Sequence, residues 1–465
     1  MIRVLLTPAI AVLALAACAP SPPPQTTSLP AVNGGFVETK SNSVSSGPVL
    51  REWWRLFDDP ILDRHIERAL AANTDLRVAV GNLRTARGLA RQARGPLYPR
   101  AGVESGVGPV DAVDQPSTTT IPTTDYDIGG AISYELDLFG RVRSGASAAE
   151  ADAQASAALL DAARVAAVAD TVLAYVDLCG AIANERIAGE ALAAQRRSAD
   201  LVGRQLEAGD ISKLELSLAQ TQLRRAEAVP PVAAADKRRA LYRLATLEGY
   251  TPAQADTLEI GCKAPPKMAT ELPVGDGAAM IARRPDIREA ERRLAAATAR
   301  IGVATADLYP RITLGGSAGL TGGAFDTFFT PLITWAFMDW DAVRGRIDAA
   351  KGTEAAALAA WDAAVLRALR EVETALADYR AEKLRNTALR EAASESERAA
   401  TRALSRYRLG ADSYLLALDA ERVRTDAAAQ SAASDTRLAQ IQVSLFRALG
   451  GGWETALPDA QGNAR

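Results

Sequence analysis

Histidines, cysteines and clustered carboxylates do most of the bond-making chemistry in proteins, and this 465-residue chain arranges few of them usefully. His65 is its one histidine, which removes histidine metal clusters and serine–histidine–acid triads from consideration. It is expected on the surface of a short helix, without a role. Gly315-Gly316 and Gly322-Gly323 lack nucleotide-loop spacing, and no Gly-Lys-Ser/Thr follows either pair. No catalytic residue, cofactor site or metal site is expected.

Cysteine chemistry remains. Met1-Ile2-Arg3 is a basic head, and Val4 to Ala17 is an apolar stretch too short to span a bilayer. It ends Leu15-Ala16-Ala17-Cys18, a lipoprotein processing pattern. Residues 1–17 read as a signal peptide, with Cys18 as the lipidated first residue of the product. An ordinary signal peptide with a chance cysteine is the alternative. Ala19 follows, with no aspartate to suggest inner-membrane retention. Several acyl chains anchor firmly, at roughly 0.8 kcal/mol per buried methylene. Residues 18–50, rich in Pro, Ser and Thr, read as an extended tether. Cys179 and Cys262 are the remaining pair: a disulfide in an oxidising compartment, or two buried thiols.

The elements behind these residues are repetitive. Asp75–Gly108 aligns without a gap on Asp286–Gly319, and Leu97-Tyr98-Pro99-Arg100 repeats as Leu308-Tyr309-Pro310-Arg311. At a second, shorter offset, Tyr134, Val142, Arg143, Gly209 and Ser212 match Trp335, Val343, Arg344, Gly410 and Ser413. The chain is two copies of one unit, 51–250 and 276–455, joined by a linker at 251–275 and followed by a tail at 456–465. Each copy predicts a helix (near 61–94 and 279–306) ended by Tyr-Pro. Two strands follow, about 97–108 and 125–139 in the first copy, 309–320 and 330–340 in the second. A long helical hairpin closes each copy, 143–249 and 344–450.

The strands alternate. Tyr126, Ile128, Ile132 and Tyr134 share one face, and Asp127, Ser133 and Glu135 share the other. A soluble sandwich fits this alternation as well as a membrane barrel does. The lipid signal and the aromatics Phe325, Phe328, Phe329, Trp335, Phe337 and Trp340 select the barrel. The connections 109–124 and 321–330 are then external loops. Residues 143–207 and 344–408 contain no proline and carry apolar seams such as Val165-Val168-Val172-Tyr175-Cys179-Ile182. Sixty-five helical residues extend on the order of 100 Å. Gly209 with Ser212, and Gly410 with Ser413, read as hairpin tips, glycine closing one helix and serine capping the next. Four strands per chain leave open edges that lipid does not tolerate, so either the chain oligomerises or the barrel reading fails; three copies would supply twelve strands.

At this point the sequence resembles TolC-like outer-membrane efflux proteins, specifically NodT-type lipoprotein subunits of resistance-nodulation-division (RND) pumps. The matching stretches are Cys18, Trp53 to Pro60, Asn73-Thr74-Asp75-Leu76, Glu135 to Arg141, Arg283 to Asp286, Tyr407 to Arg422 and Ala448 to Trp453. The resemblance implies a mainly α fold with a membrane β-barrel portion. A homotrimer would form a twelve-stranded barrel over a long periplasmic α-helical barrel with an equatorial domain. It implies a periplasmic adaptor, an inner-membrane RND pump and outer-membrane lipid as partners. One departure stands out: Asp341-Ala342 replaces the usual Gly-Arg after the last strand.

The resemblance also places Asp419 at a ring aspartate of a periplasmic gate, and Tyr407 at a tyrosine that ties helices shut, with Glu215 as its partner. A solvated carboxylate is the plainer reading of Asp419. Ser212-Lys213-Leu214-Glu215 is equally a capping box. Gly209, Ser212, Gly410 and Ser413 sit where an adaptor hairpin would dock. Both cysteines fall near the equator by helix length, predicting a Cys179–Cys262 bond. Near-equal totals of 53 Lys plus Arg and 56 Asp plus Glu leave no basic stripe for nucleic acid. The alternatives are an exit duct for protein secretion fed by an ABC transporter, and a lipid-anchored coiled-coil scaffold without a pore.

Overall fold

The computed structural model describes residues 35–40, 44–45, 47–109, 124–209, 211–268, 271–321, 324–335 and 339–452; Cys18 and the loop at 110–123 lie outside them. The chain divides into two compact units, a sheet unit (81–158 and 286–364) and a hairpin unit (31–80, 159–285 and 365–465). Helices α1 (Pro60–Ala72) and α2 (Thr74–Arg94) come first. They are one helix in the expectation and two in fact. Asn73 turns between them, its side-chain oxygen accepting from the amides of Asp75 and Leu76. Likewise α6 (Gly277–Arg283) and α7 (Pro285–Ala306) split at Arg284, the residue before a proline.

Four strands form one antiparallel sheet in the order β2-β3-β5-β6, where β2 is Arg100–Pro109, β3 Thr124–Leu136, β5 Arg311–Thr321 and β6 Ala324–Thr334. A two-residue parallel ladder joins β1 (Val44–Ser45) to β4 (Leu272–Pro273). The last large strand corrects the expectation: it begins at Ala324, not near 330. Thr321 pairs with Ala324, so only Gly322-Gly323 lies between β5 and β6. The expected external loop at 321–330 is therefore mostly strand. Trp340 leaves the strand and opens a helix instead.

Register puts Val103, Ile128, Ile132, Leu320, Phe325, Phe329 and Ile333 on one face, because directly paired residues project to the same side. Among the described residues nothing covers that face: Val103 is 79% exposed and Phe329 73%. The other face carries Ser133, Thr313, Ser317, Asp326 and Thr334. Gly319 allows β3 and β5 to approach, since a Cβ there would lie 2.7 Å from the Gly129 Cα. Aromatic pairs gather where strands meet helices, Phe139 stacked on Tyr309 at 4.4 Å and Trp335 edge-on to Trp340. Asp137 leaves the strand to accept from the amides of Val142 and Arg143, capping the helix that follows.

That helix, α3 (Arg141–Glu207), has 67 residues, and its counterpart α8 (Trp340–Arg408) has 69. The return in the second copy is one helix, α9 (Tyr414–Ala448); in the first it is two, α4 (Lys213–Glu227) and α5 (Val229–Leu247). Pro230 and Pro231 lack the amide hydrogens a continuous helix needs, so α5 starts afresh at Val229.

Within the hairpin unit the seam of α3 is buried from Val165 to Cys179. Cys179 is disulfide-bonded to Cys262 with Cα atoms 5.6 Å apart. Trp53 stacks on Phe446 at 5.0 Å, and Arg283 and Arg284 donate to the carbonyls of Leu449 and Ala448 at the end of α9. His65 is a further correction. It is fully buried, with Nδ1 at 2.5 Å from Glu248 and Nε2 donating to the carbonyl of Glu259 at 3.0 Å. A carbonyl only accepts, so Nε2 carries a hydrogen, and Nδ1 and the Glu248 carboxyl share one proton between them. The sequence around His65 reads as an exposed helix because both partners lie more than 180 residues away.

The bond between Cys179 and Cys262 closes an 83-residue separation. Replacing both cysteines by serine is expected to lower stability by about 4 kcal/mol, most of it lost chain constraint in the unfolded state. Thermal melts of the pair variant and of reduced wild-type protein check this. Unchanged melting in both would contradict it.

Candidate functional site: the hairpin tips

Two turns and the helices entering them make the site. At the first tip, α3 ends and Gly209 takes φ +84°, the left-handed conformation a side chain resists. Ser212 caps α4 in a complete capping box, its hydroxyl accepting from the Glu215 amide and the Glu215 carboxylate accepting from the Ser212 amide at 2.9 Å. At the second tip Gly410 takes φ +71°. The amide of Gly410 donates to Tyr407 and that of Ala411 to Arg406, the paired bonds of a Schellman closure. Ser413 precedes α9 but its side chain makes no capping bond, contrary to expectation. The turn is held by Arg406 and Asp412 instead, paired through two hydrogen bonds of 2.6 and 3.0 Å. Arg406 holds the Asp412 carboxyl below the usual carboxylate range.

Beneath the turns, Tyr407 and Tyr414 form a small core with Val202, Ala219 and Ala417. Their rings lie 5.4 Å apart. The Tyr407 hydroxyl donates to the Gln205 carboxamide, and the Tyr414 hydroxyl shares a hydrogen bond with Ser198 at 3.1 Å. Both bonds run from the second hairpin to α3. Burial, first of all, pushes both phenols above their ordinary value. Glu215 is therefore not the partner of Tyr407 within the chain; Gln205 is. The Glu215 carboxylate adds only a smaller upward push on Tyr407.

Asp419 is exposed on α9 and accepts from Arg422, one turn on, at 2.8 Å. Both line a groove of about 750 Å³ walled by Ile187 of α3, Val229 and Val232 of α5, and Leu418 of α9. Gln205, Ser198, Tyr414 and the Arg406–Asp412 pair were not singled out in the sequence. Only Tyr414 carried a signal, an aromatic on the first turn after a tip.

Among the described residues, no group of three or more His, Cys, Asp or Glu side chains is placed to hold a metal ion. The arrangement is one of hinges, latches and a lined groove.

The sequence profile described as Outer membrane efflux protein matches residues 65–250 and 278–451, one match for each copy of the repeat. The chain belongs to the outer membrane efflux protein family. Outer membrane protein OprJ of Pseudomonas aeruginosa is 32% identical over 416 residues, spanning 87% of this chain and 86% of that one. Nodulation protein T of Rhizobium leguminosarum bv. viciae is 30% identical over 419 residues, 88% of this chain and 86% of that one. The solved outer-membrane channel OprN superposes with a TM-score of 0.85 at 36% identity, covering 94% of this chain and all of that one. The efflux protein is therefore a transport component located in the outer membrane, mostly helical, with the fold of TolC-like channels.

The Arg406–Asp412 pair predicts how this tip responds to acid. A carboxyl held below its unfolded value, about 3.9, stabilises the turn above that pH. The contribution is lost as pH falls through the lower, folded value. Protease nicking at the second tip is expected to rise across that acid range in the wild type. In Arg406→Ala it is expected to be higher at neutral pH and flatter with pH. Identical profiles would contradict the assignment.

Proposed function

We propose that this efflux protein is the passive exit duct of a tripartite RND-type pump, carrying small toxic compounds across the periplasm and outer membrane as a homotrimer. The observation that carries this reading is the sheet. Its two edges, β2 and β6, have no partner among the described residues, and one face, mostly apolar, carries exposed Val103, Ile128, Phe325, Phe329 and Ile333. Backbone edges facing hydrocarbon must be paired, and three copies of four strands close a twelve-stranded barrel. The long helices α3 and α8 would continue it as an α-helical barrel, and acyl chains on Cys18 would anchor it.

The tips around Gly209, Ser212, Gly410 and Ser413 would meet a periplasmic adaptor, which in turn engages the inner-membrane pump. Tyr407 would act as a latch through Gln205, with Glu215 mainly a helix cap. Asp419 would line the periplasmic entrance, its charge softened by Arg422. Like charges gathered by three-fold symmetry raise the cost of closing, and a paired arginine lowers it.

Purified protein is expected to form stepwise conductances in planar bilayers. Deleting its gene is expected to raise accumulation across a chemically varied panel of toxic compounds. Cys18→Ser is expected to abolish incorporation of labelled fatty acid. Absent conductance together with unchanged accumulation would sink the duct reading.

A further inference from the structure

Two helix faces in the sheet unit have no partner among the described residues. On α2 and just beyond it, Gly81, Gly88 and Gly95 recur every seven residues, and a Cβ built on any of them meets nothing within 4 Å. Arg84 and Arg91 keep the same spacing beside them, exposed and without an ion pair or hydrogen bond among the described residues. The buried side of this helix, with Leu83 and Ala90, is the opposite one. On α8, Gly345 and Gly352 likewise face open space. Asp341 and Asp348 accompany them at the same spacing, exposed and unpaired among the described residues. Here too the buried side, with Val343, Ile347 and Glu354, is opposite. Arg344 and Lys351 sit about 100° around the helix from the glycines.

Glycine is the poorest helix former after proline, and nothing among the described residues requires it at these positions. A close neighbour from outside would. The order of helices shows where that neighbour comes from. Arg94 of α2 bonds Glu150 of α3 at 2.7 Å. Gly302 of α7 presses on Ser144 of α3, where a Cβ would lie 2.6 Å from the hydroxyl. Thr298 of α7 donates to Glu354 of α8 at 2.7 Å. The order α2-α3-α7-α8 thus repeats the strand order β2-β3-β5-β6. The outer helices are α2, which leads into β2, and α8, which follows β6.

We propose that the Gly/Arg face of α2 packs against the Gly/Asp face of α8 from the neighbouring copy. The glycines let the two backbones approach, and Arg84 and Arg91 pair with Asp341 and Asp348. The inference rests on the trimer reading and adds the contact that holds copies together below the sheet. The occupant is a second copy because the faces carry opposite charge, share a seven-residue period and adjoin the two sheet edges that copies must pair. Edge pairing of β2 with β6 runs the two helices antiparallel, so the end of α2 meets the start of α8.

Charge reversal in the full-length, detergent-extracted protein tests this. One variant carries Arg84→Asp with Arg91→Asp, a second Asp341→Arg with Asp348→Arg, a third all four. Each pair alone is expected to lower the temperature at which the trimer dissociates on gels by several degrees, and the four together to recover most of it. The reversed residues are exposed in the protomer, and circular dichroism checks its folding. Gly88→Ala with Gly352→Ala favours helix formation, so any loosening it causes is read as lost approach between copies. Gly88→Cys combined with Gly345→Cys or Gly352→Cys is expected to yield covalent trimers on oxidation, which the single variants do not. A wild-type protein that forms no trimer refutes the earlier reading. A wild-type trimer that ignores both reversals, or is not rescued by the fourfold variant, and forms no cross-link overturns this inference alone.

Discussion

A strand at the edge of a sheet presents half of its amides and carbonyls outward, and in hydrocarbon there is no water to receive them. That constraint governs this molecule. Its four-stranded sheet has two such edges and a mostly apolar face with none of the described residues laid against it. A soluble protein would cover the face and blunt the edges. Here Phe325, Phe329 and Ile333 lie exposed on an edge strand, and the proposed trimer gives the face to lipid and the edge to another copy.

The long helices answer to a second constraint, close approach without a thick core. Small residues stand where helices meet: a Cβ on Gly180 would lie 2.5 Å from the Thr436 hydroxyl. Polar groups buried in such thin seams must be satisfied, and they also hold one helix against another at a single height. Between α8 and α9, Asn386 donates to Ser434 and Asp435, and Ser434 donates to Glu382. The hydrogen bonds of Tyr407 and Tyr414 do the same near the tips. The disulfide at Cys262 and the hydrogen bond from His65 to the Glu259 carbonyl pin the linker between the repeats.

How much of this was legible depended on the range of the interaction. The duplication, the tips and the long proline-free helices are written locally, in repeated Leu-Tyr-Pro-Arg and Gly-x-x-Ser patterns, and the structure has all of them. The start of β6 was not, because aromatic residues after Gly322-Gly323 resemble a membrane-interface loop as much as a strand. The breaks at Asn73, Arg284 and Ala228 were readable from proline positions and an asparagine cap but were masked by the helical periodicity on either side. His65, Gln205 and Ser198 were out of reach: each acquires its meaning from a residue roughly 180 to 220 positions away.

The most direct test of the account is hydrogen exchange at the outer edges of β2 and β6 in the lipid-embedded protein. If copies close the sheet, the amides of both edge strands exchange as slowly as those of β3 and β5, which are paired on both sides within one chain. Fast exchange confined to the outward-facing amides of β2 and β6, with β3 and β5 protected, would show open edges and contradict it.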